Sequence, residues 1–178
     1  MINFHFQFVE IHYKIYCAYS CNFNLYQRIY SVNYIDKSED INVDISTIFT
    51  LINNVDGYKS FLPWCKNSTI ISNIDNIIIG EIEISKNLIN WKFKTSNSYI
   101  KDKAIKLELV DGPFSHLNGE WNFKKKDNFN TQVSLYLEYQ FDNRIIEMSL
   151  KPIFSSIMNS ILDSFISEAF RIKNDKQT

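Results

Sequence analysis

The stretch from Pro152 to Arg171 limits the folds open to this chain more than any other. Apolar residues fall there in adjacent pairs every fourth position: Ile153-Phe154, Ile157-Met158, Ile161-Leu162, Phe165-Ile166 and Ala169-Phe170. Ser155, Ser156, Asn159, Ser160, Asp163, Ser164, Ser167 and Glu168 fill the gaps. The pattern is that of an amphipathic helix. A step of four residues overshoots a full turn by about 40°, so the apolar stripe winds around the axis instead of running straight along it. A winding stripe suits a helix laid across a twisted, curved sheet. Pro152 fits the first turn of such a helix, where a missing N–H matters little. The polar residues 174–178 read as a tail.

Upstream, to about residue 142, the period changes to two. Ile82 and Ile84 alternate with Glu81 and Glu83, and Trp91 and Phe93 with Lys92 and Lys94. Ile105, Leu107 and Leu109 alternate with Lys106 and Glu108, and Leu117, Trp121 and Phe123 share a phase opposite Glu120 and Asn122. Val133, Leu135, Leu137, Tyr139 and Phe141 repeat it. About six antiparallel strands with one apolar face follow from this alternation. Turn formers separate them at Asp75-Asn76, Ser96-Asn97-Ser98, Lys101-Asp102, Asp111-Gly112-Pro113 and Asp127-Asn128. Ahead of these runs, Tyr34 to Ile41 reads as an edge strand. Asp44 or Ser46 then caps a helix whose apolar face carries Ile48, Phe49, Leu51, Ile52 and Val55. That helix is predicted to stop near Asp56-Gly57, with Gly57 left-handed, before a helical turn from Tyr58 to Leu62. A sheet with one apolar face needs a cover, and only the terminal helix is long enough. The expected class is α+β, a curved antiparallel sheet wrapped around a long C-terminal helix.

A chain of 178 residues is long enough for one sizeable core. Its net charge of -1 provides no global attraction to nucleic acid or anionic lipid, and DNA is not an expected partner. Cys17, Cys21 and Cys65 are sparse and odd in number, which favours a reducing compartment. Residues 1–32 read as an extension of unknown role. Glu10, His12 and Lys14 interrupt its apolar runs before they could span a membrane, and it matches neither a secretory nor a mitochondrial leader. Alternation through Phe4, Phe6 and Phe8, then Val9, Ile11, Tyr13 and Ile15, slips phase as a bulged strand would. His5, His12, Cys17 and Cys21 match no zinc spacing, and no metal is expected.

Two stretches carry more than pattern: Asn54-Val55-Asp56-Gly57-Tyr58-Lys59-Ser60-Phe61-Leu62-Pro63-Trp64-Cys65, and Leu109-Val110-Asp111-Gly112-Pro113-Phe114-Ser115-His116-Leu117-Asn118-Gly119-Glu120-Trp121. They resemble the signature segments of the START-like polyketide cyclase / coenzyme Q-binding family, which also contains the ribosome-association toxin A proteins. The resemblance covers about residues 33–173. It implies a helix-grip fold with a hydrophobic tunnel between the sheet and the last helix. It also implies either binding of ubiquinone or a similar polyprenyl lipid in support of respiration, or contact with the large ribosomal subunit that blocks subunit joining. Pro63-Trp64-Cys65 is more similar to the coenzyme Q-binding members. A cytoplasmic protein, peripheral on a bacterial inner membrane or on the matrix side of the mitochondrial one, would follow, with the membrane surface or respiratory complexes as partners.

The residues themselves do not assemble an enzyme. Cys65 and His116 are the only thiol and imidazole in the body of the domain, without a third residue to orient them. Glu81 and Glu83 alternate with Ile and should face water, and no glycine-rich phosphate loop is present. No cofactor is expected beyond ubiquinone as a bound ligand. Candidate lining residues are Trp91, Phe93, Leu107, Phe114, Leu117, Trp121, Leu137 and Phe141 from the sheet, with Phe154, Ile157, Met158, Ile161 and Phe165 from the helix. Phe61, Leu62, Pro63 and Trp64 would rim the entrance, where Trp64 could either dip into a membrane interface or anchor the loop. On the wet side of the sheet, Lys92 and Lys94 are expected to form part of a basic patch usable for RNA phosphates or lipid headgroups.

Overall fold

The computed structural model describes residues 32–86 and 88–175. The bulged strand expected through Phe4 to Ile15, and the histidines and cysteines weighed as zinc ligands there, lie outside the described residues. One unit of the chain spans Asn33–Thr178. Within it, strand β1 (Asn33–Ile41) leads through helix α1 (Ile45–Asn53) and a 3-10 helix (Val55–Ser60) into β2 (Cys65–Ile74), β3 (Ile77–Lys86), β4 (Ile89–Ile100), β5 (Ala104–Asp111), β6 (Phe114–Lys125) and β7 (Thr131–Phe141). Helix α2 (Arg144–Asp175) closes the order. The seven strands form one antiparallel sheet in the order β1-β7-β6-β5-β4-β3-β2, so β1 and β2 are its edges.

Local chemistry explains the turns. Asp75 and Asn76 both take positive φ (52° and 63°), the tight two-residue hairpin that side chains of this type tolerate. Asp102 does the same (φ 55°) between β4 and β5. The turn expected at Ser96-Asn97-Ser98 is not one: Asn97 sits inside β4, paired with Ile78 on β3 and Leu107 on β5. Neighbouring strands on both sides satisfy its backbone, which overrides the turn preference of its side chain. Register shifts occur in β2 after Cys65 and Ile70, between Lys94 and Thr95 in β4, and between Phe114 and His116 in β6. Such bulges bend and twist a strand, and here they help to curl the sheet around its cover.

Helix α1 starts at Asp44, whose carboxylate accepts from the Thr47 N–H (3.0 Å) and hydroxyl (2.7 Å). It ends at Asn53, earlier than expected, and Gly57 is not left-handed; among the described glycines only Gly112 has positive φ. The chain instead tightens into the 3-10 helix, where the Gly57 N–H donates to Asn54 O (3.0 Å) and the Tyr58 hydroxyl donates to Ile52 O. Helix α2 also departs from expectation. It begins eight residues before Pro152, with Asn143 Oδ1 accepting from the N–H groups of Ile145 and Ile146 (both 3.0 Å). Pro152 therefore lies in the helix interior, where it leaves the Met148 carbonyl without an N–H four residues on.

Two lysines hold α2 from opposite sides of the curve. Lys37 of β1 donates to Asn159 O (2.8 Å), and Lys86 of β3 to Ser156 Oγ (3.0 Å). Beneath them Leu150, Ile153, Phe154, Ile157, Met158, Leu162, Phe165 and Ala169 are buried against the sheet.

Candidate functional site

The inner face of the sheet and α2 do not meet everywhere. Between them lies a cavity with about 660 Å³ of empty space, counted out to open solvent; the centre of a water molecule has about 80 Å³ of it in which to move. That is room for several waters. A substituted ring needs neighbouring side chains to swing aside, and Met158, unbranched and flexible, stands in the wall.

Trp64, Phe93, Leu107, Leu117, Trp121, Leu137, Phe154, Met158, Ile161 and Phe165 line the cavity, as do Val55, Tyr58, Ile82, Ile84, Thr95, Asn97 and Leu135. The first ten belong to the expected lining or rim and the last seven do not. Ile82, Ile84 and Leu135 share the inward phase of their strands and were legible by that rule. Thr95 and Asn97 continue the inward row of Trp91 and Phe93 but were hidden behind the supposed turn. Val55 and Tyr58 arrive from the 3-10 helix, and their alignment with the sheet has no periodic signal.

The remaining candidates pack off the cavity. Trp91, Phe114, Phe141 and Ile157 are buried core, with Phe114 stacked on Phe141 (centroids 5.0 Å apart) and edge-on to Phe154 (5.2 Å). Leu62 is buried, Phe61 packs edge-on against Phe165 (5.3 Å), and Pro63 is exposed. Trp64 is 6% exposed. Its indole is thus turned into the protein and anchors the loop; it is not presented to a membrane interface.

Ile161 lies at the middle of the buried stripe of α2, since at about 100° per residue it falls between Ile153 and Leu162, yet it is only half-buried. Ile82 and Phe93 face inward and are half-buried too. Leu107 of β5 is half-buried as well, so the walls that reach solvent come from β3, β4, β5 and α2. Thr95 and Asn97 are buried walls, 6% and 5% exposed. Among the described residues no charged side chain lines the cavity. Two polar atoms of its wall, Asn97 Oδ1 and Trp64 Nε1, are buried without a hydrogen-bond partner among the described residues. Burial pushes the Tyr58 hydroxyl well above the ordinary tyrosine range, so the ring enters the wall uncharged.

No catalytic pair forms from Cys65 and His116. Three strands separate β2 from β6; Cys65 Sγ donates to Asn67 O (3.3 Å), while His116 Nε2 lies 3.8 Å from Glu138. Burial raises the Cys65 thiol above its usual value, opposite to what a thiolate nucleophile needs. Among the described residues no three His, Cys, Asp or Glu side chains converge as metal ligands, and no helix is long and apolar enough to cross a membrane.

The basic patch on the wet face does not survive as free charge. Lys92 lies 3.2 Å from Glu81 and 3.7 Å from Glu83, Lys94 lies 3.5 Å from Glu81 and 3.6 Å from Asp111, and Lys66 lies 2.7 Å from Glu83. The acids that alternate with Ile on β3 point outward with these lysines and neutralise them. Farther round the same face, a hollow beside Gly119 is bordered by Glu108, Glu120 and Glu138 against Lys106.

A curved antiparallel sheet that grips a C-terminal helix, with an apolar cavity between the two, defines the helix-grip, START-like class. Within it the chain belongs to the family described as "Polyketide cyclase / dehydrase and lipid transport", which matches residues 41–166. It is 30% identical over 138 residues to the ribosome association toxin RatA of Vibrio cholerae, covering 78% of this chain and 96% of that protein. It is 27% identical over 134 residues to the mitochondrial coenzyme Q-binding protein COQ10 of Dictyostelium discoideum, covering 73% and 65%. The Zhui aromatase/cyclase of a Streptomyces species superposes with a TM-score of 0.70 at 13% identity, covering 79% of this chain and 94% of the other, a likeness of fold alone.

Proposed function

We propose that the protein is a non-enzymatic carrier that holds a polyprenyl lipid, of which ubiquinone is the leading candidate, between its sheet and its last helix in support of respiratory electron transport. The observation that carries this reading is the cavity itself, apolar, without a charged wall among the described residues and with half-buried walls at Ile82, Phe93, Leu107 and Ile161. At about 0.8 kcal/mol per buried methylene, a few isoprene units give useful affinity; the rest of the tail stays outside, in a bilayer against which the protein sits peripherally. Similarity to a coenzyme Q-binding protein supports the choice of lipid. Mass spectrometry of an organic extract from the purified full chain tests it. A quinone or other prenyl lipid is expected, and its absence together with no uptake in titration overturns the reading.

A second reading, contact with the large ribosomal subunit, is favoured by the near-complete overlap with a ribosome association toxin. Phosphate contacts need available positive charge. With Lys92 and Lys94 paired, the corner that offers it is where exposed Lys101 and Lys103 meet exposed Lys124 and Lys125, joined by the Phe123 N–H donating to Lys103 O (2.8 Å). Co-sedimentation with large subunits should then fall when these four become Glu and stay unchanged when Lys92 and Lys94 do.

A further inference from the structure

An apolar cavity built only to hold hydrocarbon has no use for a buried amide. Asn97 is 5% exposed, its Oδ1 has no partner among the described residues, and the strand neighbours on either side of it, Ile78 and Leu107, offer none. In a cavity with room for water such an amide is satisfied either by water or by a guest, and a guest that displaces the water must offer a matching hydrogen bond or bind weakly, so the amide selects for a head group that pairs it. Thr95, two residues back on the same inward row and 6% exposed, brings a hydroxyl to the same wall. Trp64 adds an indole N–H that is likewise buried and has no partner among the described residues. These groups are all neutral, and among the described residues no Lys, Arg, Asp or Glu lines the cavity. A carboxylate or phosphate would enter without a counter-charge, which an apolar site penalises heavily.

We infer that Asn97, with Thr95 and the Trp64 indole N–H, recognises an uncharged, oxygen-bearing head group, and that the ligand binds head first with its tail directed to solvent. The inference rests on the lipid-binding reading above and narrows it to neutral prenyl-type lipids with carbonyl or hydroxyl heads, excluding fatty acids and phospholipids. A primary amide can turn either its oxygen or its NH₂ toward the guest. It therefore accepts from a hydroxyl or donates to a carbonyl, and serves both the reduced and the oxidised form of a quinone.

Calorimetric titration of the full chain with three probes of matched tail length tests this: a short-tailed dimethoxybenzoquinone, an alkylbenzene and a fatty acid. The quinone should bind tightest and the fatty acid weakest. Asn97→Leu should weaken the quinone about tenfold and leave the alkylbenzene unchanged. Because it replaces a buried amide with a side chain that suits the apolar wall, it should also raise the Tm by about 3 °C. Thr95→Val should act in the same direction on the quinone, which keeps the test open if the Leu variant folds poorly. A quinone tethered to a bead through its tail should be retained, and one tethered through its ring should not. The inference is overturned if Asn97→Leu weakens quinone and alkylbenzene equally, if the fatty acid binds as well as the quinone, or if the ring-tethered probe is the one retained. Alkylbenzene binding without any quinone preference removes the head-group station and leaves the carrier intact; failure of all three probes removes both.

Discussion

At Gly112, β5 turns into β6 with φ 147°, and a Cβ placed there would stand 2.6 Å from Phe93 Cβ. Gly112→Ala should therefore cost about 1–3 kcal/mol, read as a lower urea midpoint at unchanged slope. The turn was legible in Asp111-Gly112-Pro113; the close approach of Phe93 was not, because it depends on β4 lying beside the loop. Asp44 shows a similar division. The sequence offered Asp44 or Ser46 as caps, and the paired bonds to Thr47 select Asp44. Asp44→Ala is expected to lower stability by about 1 kcal/mol in the same measurement. Asn97 marks where residue-level reasoning failed. Flanked by Ser96 and Ser98 it looks like a turn, and only its pairing on both sides makes it a wall residue.

At the scale of the element, α2 carries two opposed expectations. Phe165 is 1% exposed, edge-on to Tyr58 (5.0 Å), Phe61 (5.3 Å) and Trp121 (5.5 Å). Phe165→Ala should cost about 3–5 kcal/mol, shown by thermal unfolding. Pro152 acts the other way. Inside the helix it withholds an N–H from Met148 O, so Pro152→Ala should raise the Tm even after the added freedom of the unfolded chain is counted. A fall in Tm would mean that the ring's packing outweighs the restored hydrogen bond. The stripe from Ile153 to Ala169 was readable in advance, including its drift around the axis. The first two turns were not, because Pro152 imitates a helix start while Asn143 supplies the actual cap.

For the whole molecule, pH dependence arises from groups that different elements bring together. Burial raises Tyr58 above its ordinary 10.0 and Cys65 above its ordinary 9.0. Stability from keeping both neutral is fully present below those ordinary values and is lost as pH rises toward the folded ones, since the unfolded chain releases its protons first. Urea midpoints should therefore hold from neutral pH to about pH 9 and decline above it, and Tyr58→Phe should flatten the part of the slope beyond pH 10.0. On the acid side, the Lys66 ammonium holds the Glu83 carboxyl below its ordinary 4.5. That contribution is present above 4.5 and lost as pH falls through the lowered value. The pair is exposed, so added salt should weaken it.

The sequence by itself determined the α+β class, the strand phases and the identity of the covering helix, because alternation by two and by four needs no knowledge of neighbours. It also named ten of the seventeen cavity walls, nine from the inward phase of large apolar side chains on strands and helix and Trp64 only as a residue of the rim. Tertiary structure alone decided that Trp64 turns inward, that Lys92 and Lys94 meet Glu81, Glu83 and Asp111 across strands, and that Asn97 looks into an apolar space. Each of these depends on which strand lies beside which and how sharply the sheet curls, and those are properties of register and bulges between segments distant in the chain.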